Sequence, residues 1–200
     1  MIRVLLADDE ELIRTALEAL LGLEEDLEIA ASCGDGAEAV RLAEEVRPDV
    51  CVFDLEMPGL DGVQAAERVL RSLRTKAIIV TRHARPGVLR RALEAGVAGF
   101  TPKSVSAAEL ARIIRRVAGG GRWVDPEIAA SALAGERCPL TARERDVLRV
   151  GRSAPTVDAI AAELRLAPGT VRNYLSQAMG KLGVRTRHEA SDLAWEQGWI

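Results

Sequence analysis

Short apolar runs alternate with amphipathic segments through residues 1–121, and this alternation restricts the fold more than any other feature of the chain. Such a pattern is typical of a parallel sheet that carries helices on both faces. The apolar runs predict strands at 2–7, 27–33, 49–54, 77–81 and 98–102. The amphipathic segments predict helices at 11–21, 36–46, 61–72, 86–95 and 106–118. We therefore predict a flavodoxin-like, doubly wound, five-stranded parallel sheet with strand order 2-1-3-4-5.

The chain changes character after residue 121. Three glycines at 119–121 end the last helical pattern, and we interpret 122–138 as a linker with a short helix. The remainder, 139–200, predicts an all-α domain with helices at 141–151, 156–164, 168–182 and 186–197. Residues 1–136 have a net charge of −6 and residues 137–200 a net charge of +3. An acidic first domain followed by a basic second one suggests two functions, the second on a polyanion.

Composition excludes several classes of protein. The cysteines Cys33, Cys51 and Cys138 are odd in number and lack metal-ligand spacing, so we expect no disulfide framework. No stretch approaches the roughly 20 apolar residues of a membrane span, and "MIRVLLADDEE" is unlike a signal peptide. We therefore expect a cytoplasmic protein that has no membrane partner.

Five chemically active side chains fall at the carboxyl ends of predicted strands: Asp8, Asp9, Asp54, Thr81 and Lys103. Ligand sites of doubly wound sheets form at this edge. Three converging carboxylates would repel one another, so we expect a bound cation, and oxygen ligands favour Mg²⁺. Lys103 and Thr81 offer a positive charge and a hydroxyl to a phosphoryl oxygen. The set predicts phosphoryl transfer to Asp54.

At these residues the chain resembles the receiver domains of two-component response regulators, over 1–121. The matching features are the Asp8-Asp9 pair, Asp54 before "EMPGLDG", Thr81, Phe100 and Lys103. The resemblance implies that Asp9, Asp54 and the backbone carbonyl of Glu56 ligate Mg²⁺, while Asp8 acts through water. It also implies that phosphorylation of Asp54 by a sensor histidine kinase moves two switch residues inward, Thr81 and Phe100.

Two alternatives remain for this region. Each acid taken alone could be a helix cap or a turn residue. A phosphatase of the haloacid-dehalogenase type also phosphorylates an aspartate, but it needs a second aspartate where this chain has Glu56. Glu56 and His83 would flank the path of a hydrolysing water, although His83 could equally be a solvated loop residue.

Residues 160–184 predict a helix-turn-helix, with the turn at 165–167 and a second helix opened by Pro168. Residues on the outward face of that helix include Thr170, Arg172, Asn173, Ser176 and Lys181. Arg172 and Asn173 suit base edges, whereas Thr170 and Lys181 suit phosphates of double-stranded DNA. A plain helical bundle that acts as a protein-interaction adaptor is the alternative.

Residues 139–200 resemble the LuxR-type, four-helix DNA-binding domain of NarL/FixJ response regulators. The resemblance lies in "LTARERDVL" and "GTVRNYLSQAMGKLGV", and finer matches such as "EMPG" and "ARPG" are similar to the DesR-like regulators of membrane-lipid sensing. It implies a transcription factor rather than an enzyme, with RNA polymerase as a further partner and membrane-lipid genes as targets. Asp158 departs from the pattern, because many members carry a phosphate-facing lysine there.

Members of this family often dimerise on phosphorylation through helices one and five. We predict a homodimer surface formed by two apolar stripes at helical spacing. Its residues are Leu12, Ala16, Ala19, Leu110, Ile113, Ile114 and Val117. A wide stripe that faces the core is the alternative explanation of the same pattern.

Overall fold

A computed structural model describes residues 1–82, 86–134 and 138–200 of the chain. The chain divides into two compact units, one formed mainly by residues 1–130 and the other mainly by residues 131–200. Within the described residues, no helix is both long enough and apolar enough to cross a bilayer.

The first unit is built on a parallel sheet with strand order β2-β1-β3-β4-β5-β6. Its strands are β1 (Ile2–Ala7), β2 (Leu27–Cys33), β3 (Val50–Asp54), β4 (Lys76–Thr81), β5 (Gly99–Pro102) and β6 (Trp123–Val124). The predicted doubly wound order is confirmed, but the sheet has six strands rather than five. The sixth strand has only two residues, too few for apolar alternation to reveal it.

Helices cover both faces of this sheet. They are α1 (Glu11–Leu21), α2 (Gly36–Val46), α3 (Gly62–Ser72), α4 (Pro86–Glu94) and α5 (Ala107–Ala118), followed by α6 (Pro126–Ala134). β6 and α6 lie within the 122–138 segment. Pro102 is the last residue of β5 and pairs with Thr81 of β4. The last pair between β5 and β6 joins Phe100 to Val124, so β6 does not extend as far as Pro102. The missing N–H of Pro102 therefore interrupts no strand ladder.

The predicted dimer surface is only half exposed. On α1, Leu12 has 84% of its surface exposed, and Ala16 and Ala19 are exposed beside it. The four α5 residues of the prediction are buried in the core against the sheet: Leu110, Ile113, Ile114 and Val117. Their inclusion in an exposed surface was wrong, because helical spacing alone does not distinguish a core-facing stripe from a free one.

The second unit contains α7 (Ala142–Gly151), α8 (Val157–Leu164), α9 (Pro168–Leu182) and α10 (Arg187–Glu196). Three of these helices begin at a threonine whose hydroxyl accepts a backbone N–H: Thr141, Thr156 and Thr186. Arg165 ends α8 in the left-handed conformation and opens the turn to α9. The buried side chains of all four helices form one small core, which includes Val147, Ile160 and Val171.

Candidate functional site

The strand register brings the predicted catalytic residues of the first unit to one edge of the sheet. Ala7 pairs with Phe53, so Asp8 and Asp54 follow at the same level of β1 and β3. Thr81 ends β4 and pairs with Pro102, the residue before Lys103. Parallel strands end side by side, so the five residues lie at one edge of the sheet, where Asp9, Asp54 and Lys103 line the same cleft.

The loop after Asp54 is shaped by its glycines. Gly59 has a φ of +73°, which favours glycine in the turn. A Cβ on Gly62 would lie 2.1 Å from the backbone oxygen of Asp54, so only glycine lets α3 begin this close to the site. Asp61 caps α3 by accepting the backbone N–H of Gln64 at 2.7 Å. The sequence "PGLDG" thereby fixes the position of the loop next to Asp54.

Lys103 binds three carboxylates at the carboxyl end of the sheet. Its Nζ lies 2.8 Å from Oδ2 of Asp54, 3.0 Å from Oδ2 of Asp8 and 2.8 Å from Oε1 of Glu10. The side chains of Asp8, Asp54 and Lys103 are at most 8% exposed, whereas Asp9 is exposed. One ammonium group is thus shared among three acids.

Burial leaves Asp54 a more basic carboxylate than an ordinary aspartate. It raises the pKa of Asp54 to about 6, against the opposing effect of the hydrogen bond from Lys103. For Lys103, burial works to lower the pKa, but hydrogen bonds to Asp54, Glu10 and Asp8 raise it above the ordinary lysine value. At neutral pH the site therefore holds an ionised, nucleophilic carboxylate beside a charged lysine.

The donor atoms at this edge fit a magnesium ion. One oxygen from each of Asp8, Asp9, Glu10 and Asp54 lies within 4.8 Å of the others. Carboxylate oxygens are hard ligands of the kind Mg²⁺ prefers. The five carboxylates of this edge, Glu56 included, outnumber the two cations that line the cleft among the described residues, Lys103 and Arg82. The formal charge is −3, which a divalent ion reduces to −1.

Two residues of the cleft escaped the sequence analysis. Glu10 and Arg82 line a cavity of about 310 Å³ together with Asp9, Asp54, Glu56 and Lys103. Glu10 directly follows the Asp8-Asp9 pair and Arg82 directly follows Thr81, so adjacency to predicted site residues was the available signal. Glu56 is exposed at this cleft, whereas His83 lies outside the described residues.

The two predicted switch residues are fully buried. Thr81 at the end of β4 and Phe100 in β5 are both 0% exposed. Thr81 also lines an adjoining cavity of about 320 Å³ with Ile13, Arg82 and Lys103. Thr81 lies next to the lysine that binds Asp54, because its backbone carbonyl oxygen accepts the backbone N–H of Lys103 at 2.8 Å.

In the second unit, α9 presents the predicted DNA-contacting side chains on one exposed surface. Thr170, Arg172, Asn173 and Ser176 are all exposed, while Val171, Leu175 and Ala178 of the same helix are buried in the domain core. The order of α8, a three-residue turn and α9 is that of a helix-turn-helix, in which the second helix is the one that enters a major groove. The sequence-predicted interface is thus available to a ligand.

Lys181 differs from the other predicted contacts. Its Nζ donates to Oε1 and Oε2 of Glu144 at 2.8 and 2.7 Å, although the lysine side chain is 37% exposed. Glu144 is 1% exposed, and it also accepts the backbone N–H of Thr141 at 2.7 Å. The positive charge of Lys181 is therefore directed into the domain rather than toward a phosphate.

Comparison with known proteins gives the same division of the chain. The family described as "Response regulator receiver domain" matches residues 4–115, and "Bacterial regulatory proteins, luxR family" matches residues 138–194. "Transcriptional regulatory protein DesR" of Bacillus subtilis is 42% identical over 200 residues, which cover both chains completely. "Transcriptional regulatory protein UhpA" of Salmonella typhimurium is 36% identical over 199 residues and also matches over the full length of both. The crystal structure of response regulator ChrA of a heme-sensing two-component system covers 100% of this chain and 98% of that one, with 28% identity and a TM-score of 0.59.

Proposed function

The chain belongs to the two-component response regulators that join a receiver domain to a LuxR-type DNA-binding domain, and we propose that phosphorylation of Asp54 controls its binding to DNA. The relatives are transcription regulators rather than enzymes, which opposes the phosphatase alternative. The observation that carries the proposal is the position of Asp54. It is a buried carboxylate at a strand end, 2.8 Å from a lysine.

The proposed chemistry is phosphoryl transfer from a phosphohistidine of a sensor kinase to an Oδ of Asp54. The P–N bond breaks as the P–O bond forms, and the histidine nitrogen leaves with the electron pair of the broken bond. Asp9, Asp54 and the backbone carbonyl of Glu56 would hold Mg²⁺, with Asp8 bound through water. When bound, the ion neutralises charge that develops on the phosphoryl oxygens. Lys103, already 2.8 Å from Asp54, binds one of those oxygens.

Phosphorylation is proposed to change the receiver surface through Thr81 and Phe100. A phosphoryl group on Asp54 offers the hydroxyl of Thr81 an acceptor, and the movement of Thr81 makes room for Phe100. Both residues are buried, so such a movement alters packing rather than a surface contact alone. This repacking gives the phosphoryl group a means of reaching distant surfaces.

The receiver is proposed to dimerise in its phosphorylated form. The exposed stripe on α1 supports this: Leu12, Ala16, Ala19 and Leu20 are exposed on the helix, and Leu23 is exposed two residues after its end. Leu12→Glu is the appropriate test variant, because Leu12 is 84% exposed. Ile113→Glu would instead place a charge in the core, where Ile113 is 2% exposed.

DNA binding is proposed to proceed through α9, with Arg172 and Asn173 on base edges and Thr170 and Ser176 on the backbone. A single recognition helix contacts few base pairs, so two domains joined in a dimer bind paired half-sites more tightly. Activation or repression then depends on contact with RNA polymerase. The resemblance to DesR-like regulators supports membrane-lipid genes as targets, and a DNA ligand supports a cytoplasmic location.

Phosphorylation with acetyl phosphate tests the proposed function. Wild-type protein with Mg²⁺ should gain one phosphoryl group by intact mass, and EDTA should abolish the gain. Asp54→Asn should gain none, whereas Asp192→Asn, an exposed aspartate of α10, should behave as wild type. Equal phosphorylation of Asp54→Asn and wild type would refute the assignment of Asp54.

A further inference from the structure

Glu10 and Arg82 form an ion pair on the solvent side of the receiver cleft. Glu10 lies in the loop after β1, and Arg82 follows the last residue of β4. Their side chains are 34% and 53% exposed, whereas that of Asp54 behind them is 3% exposed. The pair therefore joins two strand-end loops across the entrance to Asp54.

Glu10 simultaneously binds Lys103. Its Oε1 accepts a hydrogen bond from Nζ of Lys103 at 2.8 Å, and its Oε2 accepts one from Arg82. The hydrogen bond from Lys103 is the largest influence that lowers the pKa of Glu10. The carboxylate of Glu10 thus binds both cations that line the cleft among the described residues. An incoming phosphoryl group, itself anionic, needs the same positive partners.

We infer that Glu10 and Arg82 form an electrostatic latch that sets the rate at which Asp54 is phosphorylated. This inference rests on the proposed function, because it concerns the same acceptor. Glu10 shields Lys103 until a phosphoryl group displaces it. Arg82 then retains the displaced carboxylate and neutralises its repulsion toward the new anion. Arg82 acts through Glu10, so it is a positioning residue.

The charges of the cleft determine the direction of each effect. The described residues of the cleft have a formal charge of −3 when Glu10 and Arg82 are both charged. Neutralising Glu10 changes this charge to −2, which favours an anionic donor and disfavours a cation. Neutralising Arg82 changes it to −4, with the opposite consequences. A latch therefore shifts donor reactivity and magnesium affinity in opposite directions, whereas local structural damage would lower both.

The first measurement is the rate of phosphorylation by acetyl phosphate, with full-length protein and magnesium at saturation for each variant. Glu10→Gln should be about threefold to tenfold faster than wild type, and Arg82→Gln slower by a similar factor. In the Glu10→Gln background, Arg82→Gln should slow the reaction less than it does in the wild type, because there is no charged carboxylate left to hold and only the direct effect of the arginine charge remains. Equal slowing in both backgrounds would overturn the latch and identify Arg82 as an independent attractor of the donor.

The second measurement is magnesium affinity by calorimetry, without any phosphodonor. Glu10→Gln should weaken binding and Arg82→Gln should strengthen it, each about threefold to tenfold. Glu67→Gln and Arg71→Gln, which remove an exposed ion pair on α3, serve as controls and should change neither quantity. Unchanged affinity in both cleft variants would overturn the latch. If the wild type accepted no phosphate, the proposed function would fail and the latch with it, whereas phosphorylation at an unchanged rate in both cleft variants would overturn the latch alone.

Discussion

Asp54 in the first domain and Glu144 in the second are both almost fully buried and bound to a lysine, yet their pKa values are shifted in opposite directions. Asp54 is 3% exposed and lies 2.8 Å from Lys103, while Glu144 is 1% exposed and lies 2.7 Å from Lys181. Burial raises the pKa of Asp54 to about 6. Burial acts on Glu144 too, but hydrogen bonds from Lys181 and Thr141 hold its pKa below the ordinary value.

The number of partners explains the difference. Glu144 receives Lys181 on both oxygens and a backbone N–H from Thr141, so its charge is well compensated. Asp54 shares Lys103 with Asp8 and Glu10 and lies in a cleft of net negative charge. A compensated carboxylate stabilises a fold, whereas an undercompensated one attracts a cation and remains nucleophilic. Burial that is not matched by charge compensation therefore distinguishes Asp54 from Glu144.

The largest expected effect comes from removing the lysine of the compensated pair. Lys181→Met keeps the aliphatic stem but leaves Glu144 buried without its cation, and should lower the free energy of unfolding of the second domain by about 2–4 kcal/mol. The partial exposure of Lys181 reduces the loss, since water can enter. Chemical denaturation followed by circular dichroism measures it.

A double variant sharpens this test. Glu144→Gln removes the carboxylate charge that Lys181→Met leaves without a partner. The two substitutions together should therefore lower the free energy of unfolding by less than the sum of the two single losses. The pKa of Glu144 is lower in the folded protein than the ordinary glutamate value. Ionised Glu144 therefore stabilises the fold at pH values above that ordinary pKa, and this stabilisation is lost as the pH falls through the pKa of the folded state. Additive losses, or a Lys181→Met loss that does not shrink at low pH, would contradict the structural role of the pair.

A smaller effect of opposite sign is expected at Asp54 in the absence of Mg²⁺. Asp54→Asn removes an undercompensated charge and should raise the free energy of unfolding at pH 7 by about 1–3 kcal/mol. The folded pKa of about 6 exceeds the ordinary 3.8, so wild-type stability falls as pH rises between these values. The advantage of the variant should disappear near pH 4. If Asp54→Asn were less stable than the wild type at pH 7, Asp54 would be a structural acid like Glu144.

The smallest expected effect concerns the salt dependence of DNA binding. The Lys181 ammonium is bound to Glu144, so Lys181→Met should leave the salt slope unchanged on specific and scrambled duplexes, below the unfolding temperature. Arg172→Ala should instead cost about 1–3 kcal/mol on the specific duplex and relax preference at one base pair. A slope reduced by about one counterion in Lys181→Met would show that Lys181 contacts a phosphate.

Local patterns in the sequence were sufficient to predict most of the fold and the strand end that carries Asp54. The strand carrying Asp54 was predicted at 49–54 and found at Val50–Asp54, because apolar runs that end in acids are local signals. The ion pair of Glu144 and Lys181 joins positions 37 residues apart, and no periodicity encodes such a contact. The burial of Ile113 escaped prediction for a related reason. Which stripe of α5 faces the sheet depends on packing, which spacing does not contain.

The central claim is that phosphorylation of Asp54 controls DNA binding by α9. Selection of bound sequences from random duplex DNA tests it most directly, using wild type with and without acetyl phosphate and Asp54→Asn with acetyl phosphate. We expect paired half-sites to be strongly enriched by phosphorylated wild type alone, with Arg172→Ala losing preference at one position. Equal enrichment by Asp54→Asn in acetyl phosphate would contradict the switch, and the absence of any enriched sequence would favour a protein-interaction adaptor.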